Sequence, residues 1–114
     1  MAEWIVDGNN VMGSRPDGWW RDRRGAQRRL VERLETFAQA RDEPVTVIFD
    51  GRPHETDPGP GVEVAFASHA DDVIAARSAP GTCVVTSDRG LIERVRAAGG
   101  DVQPAKAFRD RLGP

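Results

Sequence analysis

Hydrophobic and polar positions along the chain fall into short apolar runs separated by longer helical patterns. Trp4-Ile5-Val6 is apolar throughout and stops at Asp7-Gly8-Asn9-Asn10, which reads as a strand ending in a turn. A loop is expected from Met12 to Trp20, where Gly13, Pro16 and Gly18 break any period. From Asp22 to Ala40 the period becomes helical. Leu30, Leu34, Phe37 and Ala38 share one face, with Arg24, Arg28, Glu32 and Glu35 opposite. Val45 to Phe49 is the clearest strand and again ends in Asp-Gly, at Asp50-Gly51. Prolines and glycines make Arg52 to Gly61 a loop, and Val62 to Phe66 alternates as a strand with one wet face. Ser68 is placed to cap a helix beginning at Asp71. Cys83 to Thr86 is an apolar strand followed by Ser87-Asp88. A helix carrying Leu91, Ile92 and Val95 then ends at Gly99-Gly100. Asp101 to Gln103 and Ala105 to Leu112 predict a last short strand and a last helix.

Strands that alternate with helices predict an α/β fold with a mostly parallel sheet and helices on both faces. The strands at Trp4, Val45 and Cys83 are apolar on both sides and belong in the centre; those at Val62 and Asp101 are partly polar and belong at the edges. With right-handed crossovers, the strand order 3-2-1-4-5 meets these demands. The 114 residues suffice for one core and are expected to form a single domain over 1–114. At 39% hydrophobic and 30% charged residues the chain is unlike disordered sequences, and no apolar run approaches membrane-helix length. Cys83 is the only cysteine, which excludes an internal disulfide and a cysteine zinc cluster. It reads as buried core in a reducing, cytoplasmic setting, and His54 and His69 read as solvated surface residues.

The candidate chemistry lies in the aspartates. Asp7 ends the first strand, Asp50 the second and Asp88 follows the fourth, while Asp71 and Asp72 open the helix after the third. Ligands of open parallel sheets bind beyond the carboxyl ends of the strands, where the strand order reverses. Singly, each acid also fits a turn, a cap or a helix dipole. Jointly, they predict a site for Mg²⁺ or Mn²⁺, since hard oxygen ligands without histidine or thiolate select those ions. Asn10 adds a neutral amide to the set. A second group suits RNA. Trp19 and Trp20 stand among Arg15, Arg21, Arg23 and Arg24, and aromatics interleaved with arginines stack on unpaired bases and neutralise phosphates. One tryptophan is expected in the core and the other free. The net charge is −2, so a binding surface must come from distribution rather than from total charge.

Four segments in order, Ile5-Val6-Asp7-Gly8-Asn9-Asn10-Val11, Val47-Ile48-Phe49-Asp50-Gly51, Ala70-Asp71-Asp72-Val73-Ile74 and Val85-Thr86-Ser87-Asp88, resemble the signature segments of NYN-domain ribonucleases. These belong to the PIN-like superfamily, with a Rossmann-like sheet, and the small bacterial YacP-like branch is the nearest. The resemblance implies a metal-dependent endoribonuclease that leaves a 5′-phosphate and a 3′-hydroxyl. By motif, Asp7, Asn10, Asp71 and Asp88 match catalytic positions. Asp7, Asp71, Asp72, Asp88 and Asp50 are the expected metal set, and Ser87 joins Arg15, Trp19, Trp20, Arg23 and Arg24 as expected substrate contacts. One helical turn past Asp88, where some relatives carry another acid, this chain has Ile92. Implied partners are single-stranded or structured RNA, with the ribosome or the RNA-decay machinery as candidate assemblies, and no membrane. Two rivals remain: an RNA-binding module of the same fold without turnover, and a phosphoacceptor switch built on Asp50, Thr86 and Lys106.

Overall fold

In the computed structural model, which describes residues 2–113, five parallel strands form one sheet in the order 3-2-1-4-5. They are β1 (Glu3–Asp7), β2 (Val45–Asp50), β3 (Val62–Ala67), β4 (Thr82–Val85) and β5 (Asp101–Gln103). Five α-helices surround them: α1 (Gly8–Met12), α2 (Arg23–Arg41), α3 (Ala70–Arg77), α4 (Arg89–Ala97) and α5 (Ala105–Arg111). The expected topology is therefore the observed one, with every strand pair parallel.

Alternation along the strands divides the interior into two layers. Trp4 and Val6 of β1 join Val47, Phe49 and Val85 in a core covered by α1, α2 and α5, through residues such as Val11, Leu34 and Phe108. Ile5, Ile48 and Val84 point the other way and meet Ala70 and Ile74 of α3 and Leu91 and Val95 of α4. Each large aliphatic or aromatic side chain so buried contributes roughly 1.5–3 kcal/mol relative to exposure. The central strands are buried on both faces, which explains their unbroken apolar runs.

Three local expectations change. Gly8 to Met12 forms the short helix α1 instead of a turn leading into a loop. This helix starts directly against β2, where a Cβ on Gly8 would lie 2.5 Å from Phe49 Cδ1 and 3.0 Å from the Ile48 carbonyl. Only glycine permits that approach. The following loop contains a one-turn 3₁₀ helix at Trp19–Arg21. At α3 the cap position is His69, not Ser68, and Asp50 Oδ1 accepts from the Ala70 N–H at 3.0 Å.

The β2–β3 connection is a parallel crossover without a helix, so residues 51–61 must run back along the length of the sheet. They do so along α2. His54 Nε2 meets the Gln27 amide at 2.8 Å, and the Gly59 N–H donates to Glu35 Oε1 at 2.8 Å. His54 also packs on Phe66, with ring centroids 4.8 Å apart, so it is half-buried instead of solvated. Cys83 is buried in the core as expected. Among the described residues no helix is long and apolar enough to cross a membrane.

Candidate functional site

The order of strands reverses at β1, whose neighbours are β2 and β4. At the carboxyl end of these three strands lies a depression of about 310 Å³, lined by Asp7, Asn9, Asn10, Asp50, Asp71 and Asp88. It is where the architecture keeps its ligands. Four separate segments bring acids to it: Asp7 and Asp50 end β1 and β2, Asp71 lies in the first turn of α3, and Asp88 follows β4.

Asp7 is the innermost acid, 8% exposed, while Asp50, Asp71 and Asp88 are exposed. Burial pushes its carboxyl up from 3.8 to about 6. The Thr86 hydroxyl, donating to Asp7 Oδ2 at 2.9 Å, opposes the rise, and the charges of Asp50 and Asp88 add to it. Thr86 is fully buried, and its Oγ1 also accepts from the Asp88 N–H at 3.2 Å. One hydroxyl therefore joins the end of β1 to the turn after β4. Two asparagines tie the same edge. Asn9 Oδ1 accepts from the Asp50 N–H at 3.1 Å, and Asn10 Oδ1 accepts from the Ser87 N–H at 2.8 Å. Sequence reasoning missed Asn9 and placed Thr86 only in a rival scheme. Their signals were a polar residue closing an apolar strand and a doubled asparagine at a strand end.

The other acids are partly committed to backbone. Asp88 Oδ1 caps α4 through the Leu91 N–H at 3.0 Å, as Asp50 caps α3. Arg94 is 2.8 Å from Asp72 Oδ1 and 4.0 Å from Asp71 Oδ2. Asp71 lines the depression and Asp72 does not. Ile92, half-buried on α4, also stays out of it.

Among the described residues no three His, Cys, Asp or Glu side chains close into a ready-made cation cage. The acids instead surround a shared opening. That arrangement suits Mg²⁺, which keeps several waters and takes one or two carboxylates directly, better than an all-protein cage for Ca²⁺. The donor set is oxygen and amide only, and the like charges around Asp7 call for a cation.

The expected substrate contacts are spread wider. Trp19 is half-buried against the main core under Arg23, whose guanidinium lies 5.4 Å from the ring centroid. Trp20 is 50% exposed, with Arg21 5.9 Å from its ring. Arg15 pairs with Asp110 at 2.9 Å, and Ser87 Oγ accepts from the Ala105 N–H at 2.9 Å, capping α5. Arg24 lies on α2 beside the 51–61 loop. The phosphoacceptor set is not assembled: Thr86 faces Asp7, Asp50 caps α3, and Lys106 pairs with Asp110 at 3.0 Å.

The YacP-like NYN domain model matches residues 4–113 of this chain. Two crystal structures of Rae1 (YacP) from Bacillus subtilis are similar in fold. One matches with a TM-score of 0.79 at 20% identity, covering 98% of this chain and 74% of that one. The other, the W164L mutant, matches with a TM-score of 0.78 at 22% identity, covering 98% and 75%. No curated protein matches this chain. The match over nearly the whole length settles the family: the chain belongs to the YacP-like NYN domain family.

Proposed function

We propose that this protein is a Mg²⁺- or Mn²⁺-dependent endoribonuclease whose reaction takes place in the depression at the carboxyl edge. Family membership points to a nuclease-type, RNA-related role. The observation that carries the finer reading is Asp7, a buried carboxylate with a raised pKa, held facing two further acids at the switch point of the sheet. A bound divalent ion supplies a more acidic water and offsets charge on the attacked phosphate. Asp7, Asp88 and Asp71 are the residues that would hold it. Thr86 fixes the Asp7 carboxylate, and the Asn10–Ser87 bond fixes the turn that carries Asp88. Hydrolysis leaves a 5′-phosphate and a 3′-hydroxyl.

A second reading, an RNA-binding module without turnover, is favoured by the ion pairs that occupy Asp71 and Asp72. A circular single-stranded RNA separates the two, since only internal cleavage opens it. Wild type is expected to linearise the circle with Mn²⁺ and to stop in EDTA. Asp7→Asn and Asp88→Asn are expected to remain folded and leave the circle intact. Binding without cleavage at any divalent concentration selects the second reading, and cleavage that survives EDTA removes the metal site.

A further inference from the structure

The acid depression is not the only cavity near the carboxyl edge. Where the β2–β3 loop runs back along α2 it encloses a pocket of about 440 Å³, within the range of small-molecule sites. Its inner wall is closed by Val31, with the fully buried Phe49 side chain behind it. Gln27 and Arg28 stand on the α2 wall one helical turn after Arg24, and Glu32 follows one turn later. The loop supplies His54, Glu55 and Asp57. The bonds from Gln27 to His54 and from Glu35 to Gly59 hold the loop in place, so the pocket is formed before any ligand arrives.

Two features decide what fits. A slot between a helix and a loop, closed at the back by Val31 and edged with polar groups, suits a flat heteroaromatic ring. The charges are mixed and lean acidic, with Glu32, Glu35, Glu55 and Asp57 against Arg24 and Arg28. That balance repels a phosphate and favours a ring edge rich in donors. Arg24, Arg28 and Glu32 make no side-chain hydrogen bond or ion pair among the described residues, so their donors and acceptors are open to a ligand. Guanine answers both demands. Its N1–H and N2–H₂ donate to a carboxylate, while O6 and N7 accept from a guanidinium in the pairing arginine makes most often.

The pocket also lies in the right place. Phe49 behind its inner wall and Asp50 in the acid depression are consecutive residues at the end of β2, with side chains on opposite faces. Adjacent residues of one strand end therefore border both cavities. We propose that this pocket between α2 and the β2–β3 loop receives one unpaired base of the RNA strand whose phosphate lies at the acid depression, and that it selects guanine. The proposal rests on the RNA reading of the acid site.

Its test leaves cleavage out. In EDTA, short oligouridylates carrying one central guanine, inosine or adenine are titrated into the full chain, followed by amide shifts and by affinity. Inosine lacks only the 2-amino donor. The guanine strand is expected to shift the amides of Phe49, His54 and Arg28, and to bind about 10-fold or more tightly than the other two. Arg28→Ala and Glu32→Gln change exposed side chains and are expected to remove the guanine preference without moving the melting temperature. Equal affinity for all three strands overturns the proposal, as do shifts confined to the Trp19–Arg21 turn. Equal affinity for free guanosine and for the guanine strand overturns the assignment to a strand. A pocket that responds to an oligolysine peptide and to no oligonucleotide overturns it as well. An inactive protein that still prefers guanine leaves the pocket standing while the nuclease reading falls.

Discussion

At Asp7 a single carboxylate carries both a cost to stability and the proposed function. Its folded pKa of about 6 lies above the unfolded value of 3.8. The folded state therefore binds the proton more tightly, and the associated stability is present below pH 3.8 and lost as pH rises through about 6. The shift corresponds to at most ~3 kcal/mol. Asp7→Asn cannot ionise and keeps an acceptor for the Thr86 hydroxyl. Without divalent ions, the variant is expected to be more stable than wild type at about pH 8, with the gap closing toward about pH 4. Denaturant melts across that range measure it, and a constant gap would refute the buried-charge account. Adding Mn²⁺ is expected to raise the wild-type melting temperature and leave the variant unmoved, since the proposed metal site needs the Asp7 carboxylate and a ligand that binds only the native state stabilises it. Thr86→Val removes a hydroxyl that serves Asp7 and the Asp88 N–H together. It is expected to cost about 1–3 kcal/mol and to raise the Asp7 pKa further, visible in a carboxyl NMR titration.

At the scale of elements, two acids of the site are also caps of helices. Asp88 caps α4, and Asp50 caps α3 from the end of a neighbouring strand. The two roles separate by substitution. Asp88→Asn keeps a capping oxygen and is expected to melt close to wild type, while Asp88→Ala is expected to lose about 1 kcal/mol. Both are expected to lose cleavage. Equal melting of the two variants would show that the cap contributes nothing. This double duty explains what the sequence made legible. Asp7 and Asp50 were readable because a strand period ends at each, Asp88 because it closely follows one, and the strand order followed from which runs are apolar on both faces. Helix α1 was not readable, because Gly-Asn-Asn has the composition of a turn and becomes helical only where Gly8 meets Phe49. The cap of α3 was not readable either, because its oxygen comes from 20 residues earlier in the chain. Thr86 and Asp7 are 79 residues apart, and no local pattern announces their bond.

For the whole molecule the question is how a chain of net charge −2 holds a polyanion. The acid depression repels RNA until a cation occupies it, so binding energy must come from elsewhere on the carboxyl edge. The 3₁₀ turn at Trp19–Arg21 is the source we propose. Trp20 is half exposed beside Arg21, while Trp19 packs inward against the core beneath Arg23. The two rings meet edge to face with centroids 5.9 Å apart, so the inner ring sets the position of the outer one. Trp20→Ala is expected to weaken single-stranded RNA binding by roughly 1–3 kcal/mol per stacked base, with little change in melting temperature. Trp19→Ala is expected to lower the melting temperature first, because truncating a packed aromatic leaves a cavity, and to weaken RNA binding only as the turn loosens. Arginine contacts to phosphate are read by salt, since each neutralised phosphate steepens the fall of affinity with salt concentration. Arg21→Ala and Arg23→Ala are therefore expected to flatten that slope, whereas Trp20→Ala leaves it unchanged and lowers affinity equally at every salt concentration. Affinity titrations in Ca²⁺ on the Asp7→Asn background, repeated over a salt series, separate the contributions without cleavage. If Trp20→Ala binds like wild type at every salt concentration, the turn is an ordinary solvated surface and the strand is held by the rest of the edge.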